Sequence, residues 1–401
     1  MNIKKMQINC ALITIAPFPI GNVSTIRYSS YLKSLCNSGI KNYVFIISPT
    51  YMARHNLSKS GVHEGIYYDY MTKIAWRRNE FFIIKVLYYI LGLIKSIFYL
   101  KKYKINCVIL YHQETFAYYF YWLFLKLFSI TFLTDKSEYP YGYSKMSWIR
   151  KKLELIKLKV FDGFIVMTHE LFDFYSRSKS KKASIFHLPM TIDLNRYSNI
   201  IDIEVNEPYI AVVFGSHNRD GLYESIITYN HYRKLAKEKS FKLVLIGDYS
   251  RLPEWETIHE YLDVNNLLAH VEIKGLLPIN EVPSILKGAS CLLTTPNEYI
   301  SGGFPTKLGE YLLSGVPVVA TSVGEISKYL TNNIHAFLLE PKDYNGLSEK
   351  IFLLQNNPSI AHKMAYEAKK LVLTTFNSDI YAESLKEFLI QNIRRKKPFW
   401  S

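Results

Sequence analysis

The chain has 401 residues, 49% hydrophobic and 21% charged, with 18 Gly and 15 Pro. That balance predicts two or three domains with their own cores and excludes a disordered or collagen-like chain. Its net charge of +15 is confined to one half: residues 1–200 hold 28 basic and 11 acidic side chains, residues 201–401 hold 21 and 23, so an anionic surface should meet the N-terminal half.

Residues 6–15 form an apolar run of strand length. No small-residue cleavage site follows it, so no signal peptide is expected and the chain reads as cytoplasmic. Strands are predicted at 6–15, 43–47, 107–111, 129–133, 164–167 and 184–188, with helices at 25–38, 81–103, 116–128 and 145–161 between them. Two stretches approach the length of a membrane span. In residues 81–100 a polar stripe (Lys85, Tyr88, Gly92, Lys95, Tyr99, continuing to Lys102) recurs every three or four residues on a helix. Residues 115–134 contain Lys126, which costs roughly 2.5–3.5 kcal/mol at mid-bilayer. Neither is expected to span. Cys10, Cys36, Cys107 and Cys291 show no CxxC spacing, which fits free, mostly buried thiols in a reducing compartment.

Residues 193–208 are polar and read as a linker. Beyond it, strands are predicted at 209–214, 241–246, 270–273, 289–294 and 316–320, and helices at 222–239, 254–264, 282–287 and 306–313. Helices at 344–354, 360–374 and 380–393 follow. Continuous apolar strands alternating with helices predict parallel sheets covered on both faces. The expected organisation is a Rossmann-like domain over residues 1–200, a second over 207–375, and a closing segment, 376–401, whose helix packs back on the first. Ligands of such sheets bind beyond the carboxyl ends of the strands.

The most informative stretch is Ser301-Gly-Gly-Phe-Pro-Thr-Lys-Leu-Gly-Glu310. Gly302 and Gly303 make a glycine-rich loop, and Pro305 and Thr306 open a helix whose free N–H groups and dipole attract an anion. Glu310 falls about one turn in, where a carboxylate can accept two hydrogen bonds from a ribose diol. An ordinary βα loop with a surface glutamate gives the same pattern. Other loops beyond predicted strands are Ala16-Pro-Phe-Pro-Ile-Gly21, His112-Gln-Glu114, Ser137-Glu-Tyr-Pro140 and Gly215-Ser-His-Asn-Arg-Asp-Gly221. No His/Cys/Asp metal cluster and no DxD motif appears.

Together with Val244-Leu-Ile-Gly-Asp248, His270-Val-Glu-Ile-Lys-Gly275 and His187-Leu-Pro-Met-Thr-Ile-Asp193, these segments resemble, in order and over nearly the whole chain, the retaining glycosyltransferase family 4. The resemblance implies an α/β fold of the GT-B type, two facing Rossmann-like doubly wound parallel-sheet domains with a cleft between them. It implies hexosyl transfer with retention from a UDP- or GDP-linked nucleotide sugar to a saccharide or lipid-linked acceptor, as in capsule or O-antigen synthesis. No cofactor or metal is implied.

Carried over by position, Glu310 would hold the donor ribose, whereas Gly302 stands where the family has the first glutamate of its Glu-x7-Glu motif. Gly303, Phe304, Pro305 and Thr306 would bring backbone close to the sugar and diphosphate. Lys307, in a Pro-Thr-Lys variant resembling members that act on polysaccharide precursors, would replace lost contacts. Ser216 and Asp220 occupy positions where the family has Arg and Lys, leaving Arg219 to reach the phosphates beside Gly215. Gly21 would admit the diphosphate, His112 would face the donor sugar, and Glu138 is an acceptor-side candidate. Two further readings stay open: a catalytically silent GT-B partner subunit, and a nucleotide-sugar epimerase of the same fold.

The basic N-terminal half, rich in a chain with 32 Tyr and 23 Phe, suits an anionic membrane surface at roughly 1 kcal/mol per Lys or Arg. Peripheral association with the inner face of the plasma membrane is therefore expected. No RRM, KH or helix-turn-helix pattern accompanies the charge, so no nucleic-acid partner is expected.

Overall fold

The structure, a computed structural model, describes residues 7–77, 79–111, 114–140, 142–198, 200, 204–215, 220–298 and 302–395. These form two compact units, one built from residues up to 193 and from 377 onward, the other from residues 194–376.

The first unit runs β1 (Asn9–Thr14), α1 (Val23–Asn37), β2 (Lys41–Ile46), β3 (Ser60–His63), β4 (Ile66–Tyr70), α2 (Phe82–Lys102), β5 (Cys107–Tyr111), α3 (Thr115–Leu127), β6 (Thr131–Lys136), α4 (Trp148–Lys157), β7 (Gly163–Val166), α5 (His169–Ser178) and β8 (Ser184–His187). The strands form one sheet in the order β3-β4-β2-β1-β5-β6-β7-β8, parallel except for β3 against β4. β1 sits near the centre because Cys10–Ile13 is an unbroken apolar run able to bury both faces.

Helix α1 starts at Asn22, whose side chain accepts from the N–H groups of Ser24 and Thr25 while Thr25 Oγ1 accepts from the Asn22 N–H, a reciprocal cap. Helix α2 approaches the sheet closely at Gly92, where a β-carbon would lie 1.8 Å from the Ile47 carbonyl oxygen. It turns Leu93, Ile97 and Leu100 inward and leaves its opposite side exposed. Helix α3 joins it through a 2.8 Å hydrogen bond between Ser96 Oγ and Tyr121 Oη.

The second unit runs β9 (Tyr209–Val213), α6 (Leu222–Ala236), β10 (Lys242–Ile246), α7 (Trp255–Val264), β11 (Val271–Gly275), α8 (Val282–Gly288), β12 (Cys291–Thr294), α9 (Thr306–Leu313), β13 (Val318–Thr321), α10 (Ile326–Tyr329), β14 (Phe337–Leu339), α11 (Tyr344–Asn356) and α12 (Pro358–Leu371). Its six strands are all parallel, in the order β11-β10-β9-β12-β13-β14. Helix α13 (Ala382–Arg395) belongs to the first unit, where Leu385, Phe388 and Leu389 enter the core and Ser184 Oγ donates to Asn392 Oδ1 at 2.6 Å.

Both units are doubly wound α/β domains on parallel sheets, the class expected from the sequence. Several elements differ. The β3–β4 hairpin and β14 lie where no strand was expected, and α5 where no helix was; α5 is capped by Thr168 Oγ1, which accepts from the Leu171 N–H. The strand expected at 129–133 starts at Thr131 because Ser129, with φ +55°, closes the end of α3, and it continues to Lys136. The helix expected over 145–161 is confined to α4, with short 3-10 turns on either side.

Candidate functional site

In the second unit the chain leaves β9 toward β10 on one side and leaves β12 toward β13 on the other, so the winding reverses between β9 and β12. Helices that follow adjacent strands in opposite directions open a crevice at that point. Helix α6 starts on one side of it and α9 on the other. Gly221, with φ +69°, makes the turn into α6, and a β-carbon there would lie 2.0 Å from the Thr295 carbonyl oxygen. Thr295 Oγ1 donates to the Gly221 carbonyl at 2.8 Å, so the loops after β9 and β12 are tied together.

Gly302 also has positive φ, +70°. This backbone accounts physically for the glycine where the resemblance led one to expect glutamate, since a side chain there is strained. Gly303 is buried, and Phe304 is buried with its ring against Tyr329 and Phe376, at centroid distances of 5.4 and 5.6 Å. That ring anchors the loop to its own unit. Pro305 is the residue before the first helical position of α9, and Thr306 opens the helix. On the next turn Tyr311, fully buried, accepts the Val213 N–H at 2.7 Å and fixes α9 to the end of β9; burial holds its phenol well above the usual range.

Among the described residues, Lys307 and Glu310 of this crevice are both paired. Lys307 Nζ donates to Asp220 Oδ2 at 2.5 Å, and the Gly215 N–H donates to the same oxygen at 2.5 Å. Glu310 Oε1 accepts from the Arg196 guanidinium, whose other terminal nitrogen donates to the Ile279 carbonyl at 2.7 Å. Lys307 and Glu310 are therefore in ion pairs in this structure rather than facing solvent alone. Sequence reasoning missed Arg196 and Tyr311 altogether and read Asp220 only as a departure; no spacing rule links residues so far apart in the chain. Arg219 lies outside the described residues. Among the described residues no three His, Cys, Asp or Glu side chains are grouped as metal ligands are.

In the first unit the winding reverses between β1 and β5. Gly21 lies in the loop after β1, where a β-carbon would fall 2.0 Å from Thr25 Oγ1 and 2.4 Å from the Pro17 carbonyl oxygen, so the loop's own packing demands glycine. His112 directly follows β5 and lies outside the described residues. Glu138, beyond β6, is half-buried and its carbonyl accepts from Tyr175 Oη at 2.9 Å. Nearby, the buried Arg27 donates to Asp135 Oδ1 at 3.3 Å and to the carbonyls of Pro189 and Leu188 at 2.9 and 3.2 Å, a structural tie between α1 and the chain after β8.

Residues 207–371 match the family described as Glycosyl transferases group 1. A 2-deoxystreptamine N-acetyl-D-glucosaminyltransferase from Niallia circulans is 23% identical over 235 residues, 56% of this chain; the aligned part spans 58% of that relative's length. Among solved structures, sucrose-phosphate synthase from Thermosynechococcus elongatus superposes with a TM-score of 0.74 at 16% identity, covering 97% of this chain and 100% of that one. HepE from Anabaena, solved with UDP, superposes at 0.69 with 12% identity, covering 96% and 100%; its UDP-glucose complex gives 0.68, 12% identity, 95% and 99%. Residues 207–371 thus resemble a glycosyl transferases group 1 domain, in a protein built of two parallel-sheet α/β domains like its GT-B structural neighbours.

Proposed function

We propose that this protein transfers a hexosyl group, with retention, from a UDP- or GDP-linked nucleotide sugar to a lipid-linked saccharide acceptor at the inner face of the plasma membrane, in the synthesis of cell-surface polysaccharide such as capsule or O-antigen. The donor half rests on one observation: the start of α9, the Gly215 N–H and Lys307 meet at the β9/β12 reversal, with Glu310 one turn further along. Such a set suits a diphosphate and a ribose diol. The UDP and UDP-glucose complexes of HepE support the same class of donor. The acceptor half is supported by the family resemblance and by the basic N-terminal half.

In this reading the bond between the anomeric carbon and the diphosphate oxygen breaks. The acceptor hydroxyl oxygen bonds to that carbon on the same face, and its proton passes to the departing phosphate oxygen. Fixed N–H dipoles and the Lys307 ammonium stabilise the charge that grows on the leaving group. Arg219 would add a cation there and His112 would face the sugar. Protein groups alone hold the diphosphate. Lys307 exchanges Asp220 for a phosphate, and Glu310 exchanges Arg196 for the ribose hydroxyls.

A thermal-shift panel of UDP, GDP and their sugars tests the donor, followed by titration calorimetry on Glu310→Ala. The expected outcome is stabilisation by one nucleotide and binding weaker by about tenfold or more in the variant, from loss of hydrogen bonds to a charged acceptor. The anomeric configuration of the product, read by NMR, tests retention. No stabilisation by any nucleotide would favour a silent partner subunit, and an isomerised donor without glycoside would favour an epimerase.

A further inference from the structure

The connections β4→β5, β5→β6 and β6→β7 all advance the same way across the first unit's sheet, so right-handed crossovers put α2, α3 and α4 on one face. Neighbours in this layer touch: Ser96 on α2 bonds Tyr121 on α3, and Tyr118 on α3 packs edge-on against Phe161, shortly after α4, at 5.0 Å. The layer's outer side is apolar. On α2, Ile83, Leu87 and Phe98 are 54–73% exposed, opposite the buried Leu93, Ile97 and Leu100. On α3, Phe116 and Leu123 are more than half exposed while Tyr121 and Leu125 are buried. Helix α4 buries no side chain and leaves Trp148, Ile149 and Leu153 more than half exposed. An apolar surface running over three helices marks an interaction site.

Its charge identifies the partner. Helices α2, α3 and α4 carry four, one and four Lys or Arg residues against a single carboxylate, Glu154. We propose that this layer docks onto an anionic lipid bilayer, with its apolar side chains in the headgroup–acyl boundary and its cations on the lipid phosphates. A bilayer meets both properties at once, whereas a second copy of the chain would bring the same cations face to face. Helix α2 is long and apolar enough to cross a membrane by length and composition. Gly92, Leu93, Ile97 and Leu100 are nevertheless committed to the sheet, so the helix lies along the surface rather than through it.

Flotation of the purified full chain with phosphatidylglycerol-containing and pure phosphatidylcholine vesicles tests this. No donor or acceptor enters the assay, so its failure is distinct from failure of the transfer reading. The wild type should float with the anionic vesicles at least tenfold better than with neutral ones, and alkaline carbonate should release it. A charge-conserving Ile83→Ser/Leu87→Ser/Leu123→Ser variant and an Arg150→Gln/Lys151→Gln/Lys152→Gln variant should each lose binding about tenfold, with circular dichroism confirming their fold. If the serine variant does not fold, the glutamine variant and the two vesicle compositions still decide. Absence of flotation, equal flotation of wild type and variants, retention after carbonate, or a dimer that hides the face from lipid would overturn the proposal.

Discussion

Lys307 Nζ and Asp220 Oδ2 lie 2.5 Å apart, and that one carboxylate oxygen also takes the Gly215 N–H. An internal anion thus holds a backbone donor and a cation suited to a phosphate. Both side chains are partly exposed, so the pair is worth only about 1 kcal/mol. Asp220→Asn keeps an oxygen for Gly215 but frees the ammonium and removes a charge that repels phosphate. Binding of the cognate nucleoside diphosphate should tighten by about three- to tenfold, read by calorimetry. Lys307→Ala should weaken it by a similar factor or more. Unchanged binding in both variants would remove the phosphate role.

Gly92 sets the distance between α2 and the sheet. Alanine there gains about 1 kcal/mol of helix propensity, but its β-carbon meets the Ile47 carbonyl, backbone that cannot swing away. Overpacking of this kind costs about 1–3 kcal/mol. Gly92→Ala should therefore show a net loss of up to about 2 kcal/mol in urea unfolding, with no change in nucleotide binding.

The four thiols should differ in reactivity. Cys10, Cys107 and Cys291 are fully buried, and burial pushes the Cys291 thiol up to about 12. Cys36 is only partly buried, though burial raises its pKa as well. Ellman's reagent on the native protein should titrate one thiol per chain and all four after denaturation. Cys36→Ser should abolish the native reaction.

His335 Nδ1 accepts the Thr331 N–H at 2.9 Å, which requires that nitrogen to be unprotonated. Burial lowers its pKa, against a smaller opposing pull from Glu367. A histidine with a depressed folded value contributes stability that is complete above its unfolded pKa of about 6.5 and is lost as pH falls through the folded value. Between pH 7.5 and 5.5 the wild type should lose about 1–2 °C more in Tm than His335→Gln. Parallel melting curves for the two proteins would contradict this.

The elements most legible in the sequence were those whose pattern is local. β1 and β5 are unbroken apolar runs, and α9 follows glycines and a proline, so each was read within a few residues of its bounds. β3 was illegible because Ser60-Gly-Val-His63 is an exposed edge strand with no buried face to leave a pattern. β4 does alternate in burial, with Ile66, Tyr68 and Tyr70 buried, but tyrosine also fills the exposed position 67, so the sequence itself shows little contrast between the two faces. At the candidate site, the glycine loop and Glu310 could be singled out from their own neighbourhood. Their partners could not: Asp220 stands 87 residues from Lys307, and Arg196 stands 114 from Glu310. Such pairings arise from tertiary structure and leave no periodicity behind.

Helix α13 completes the core of the first unit with Leu385, Phe388 and Leu389, yet it is separated from the rest of that core by the whole second unit. On the ribosome, the N-terminal sheet must therefore wait, its hydrophobic interior unfinished, until about two hundred later residues have been synthesised, while the second unit emerges as one uninterrupted stretch. A gene fragment encoding 194–376 is the natural piece to express alone; one ending before α13 would leave a vacancy in the N-terminal sheet's interior and invite chaperone capture.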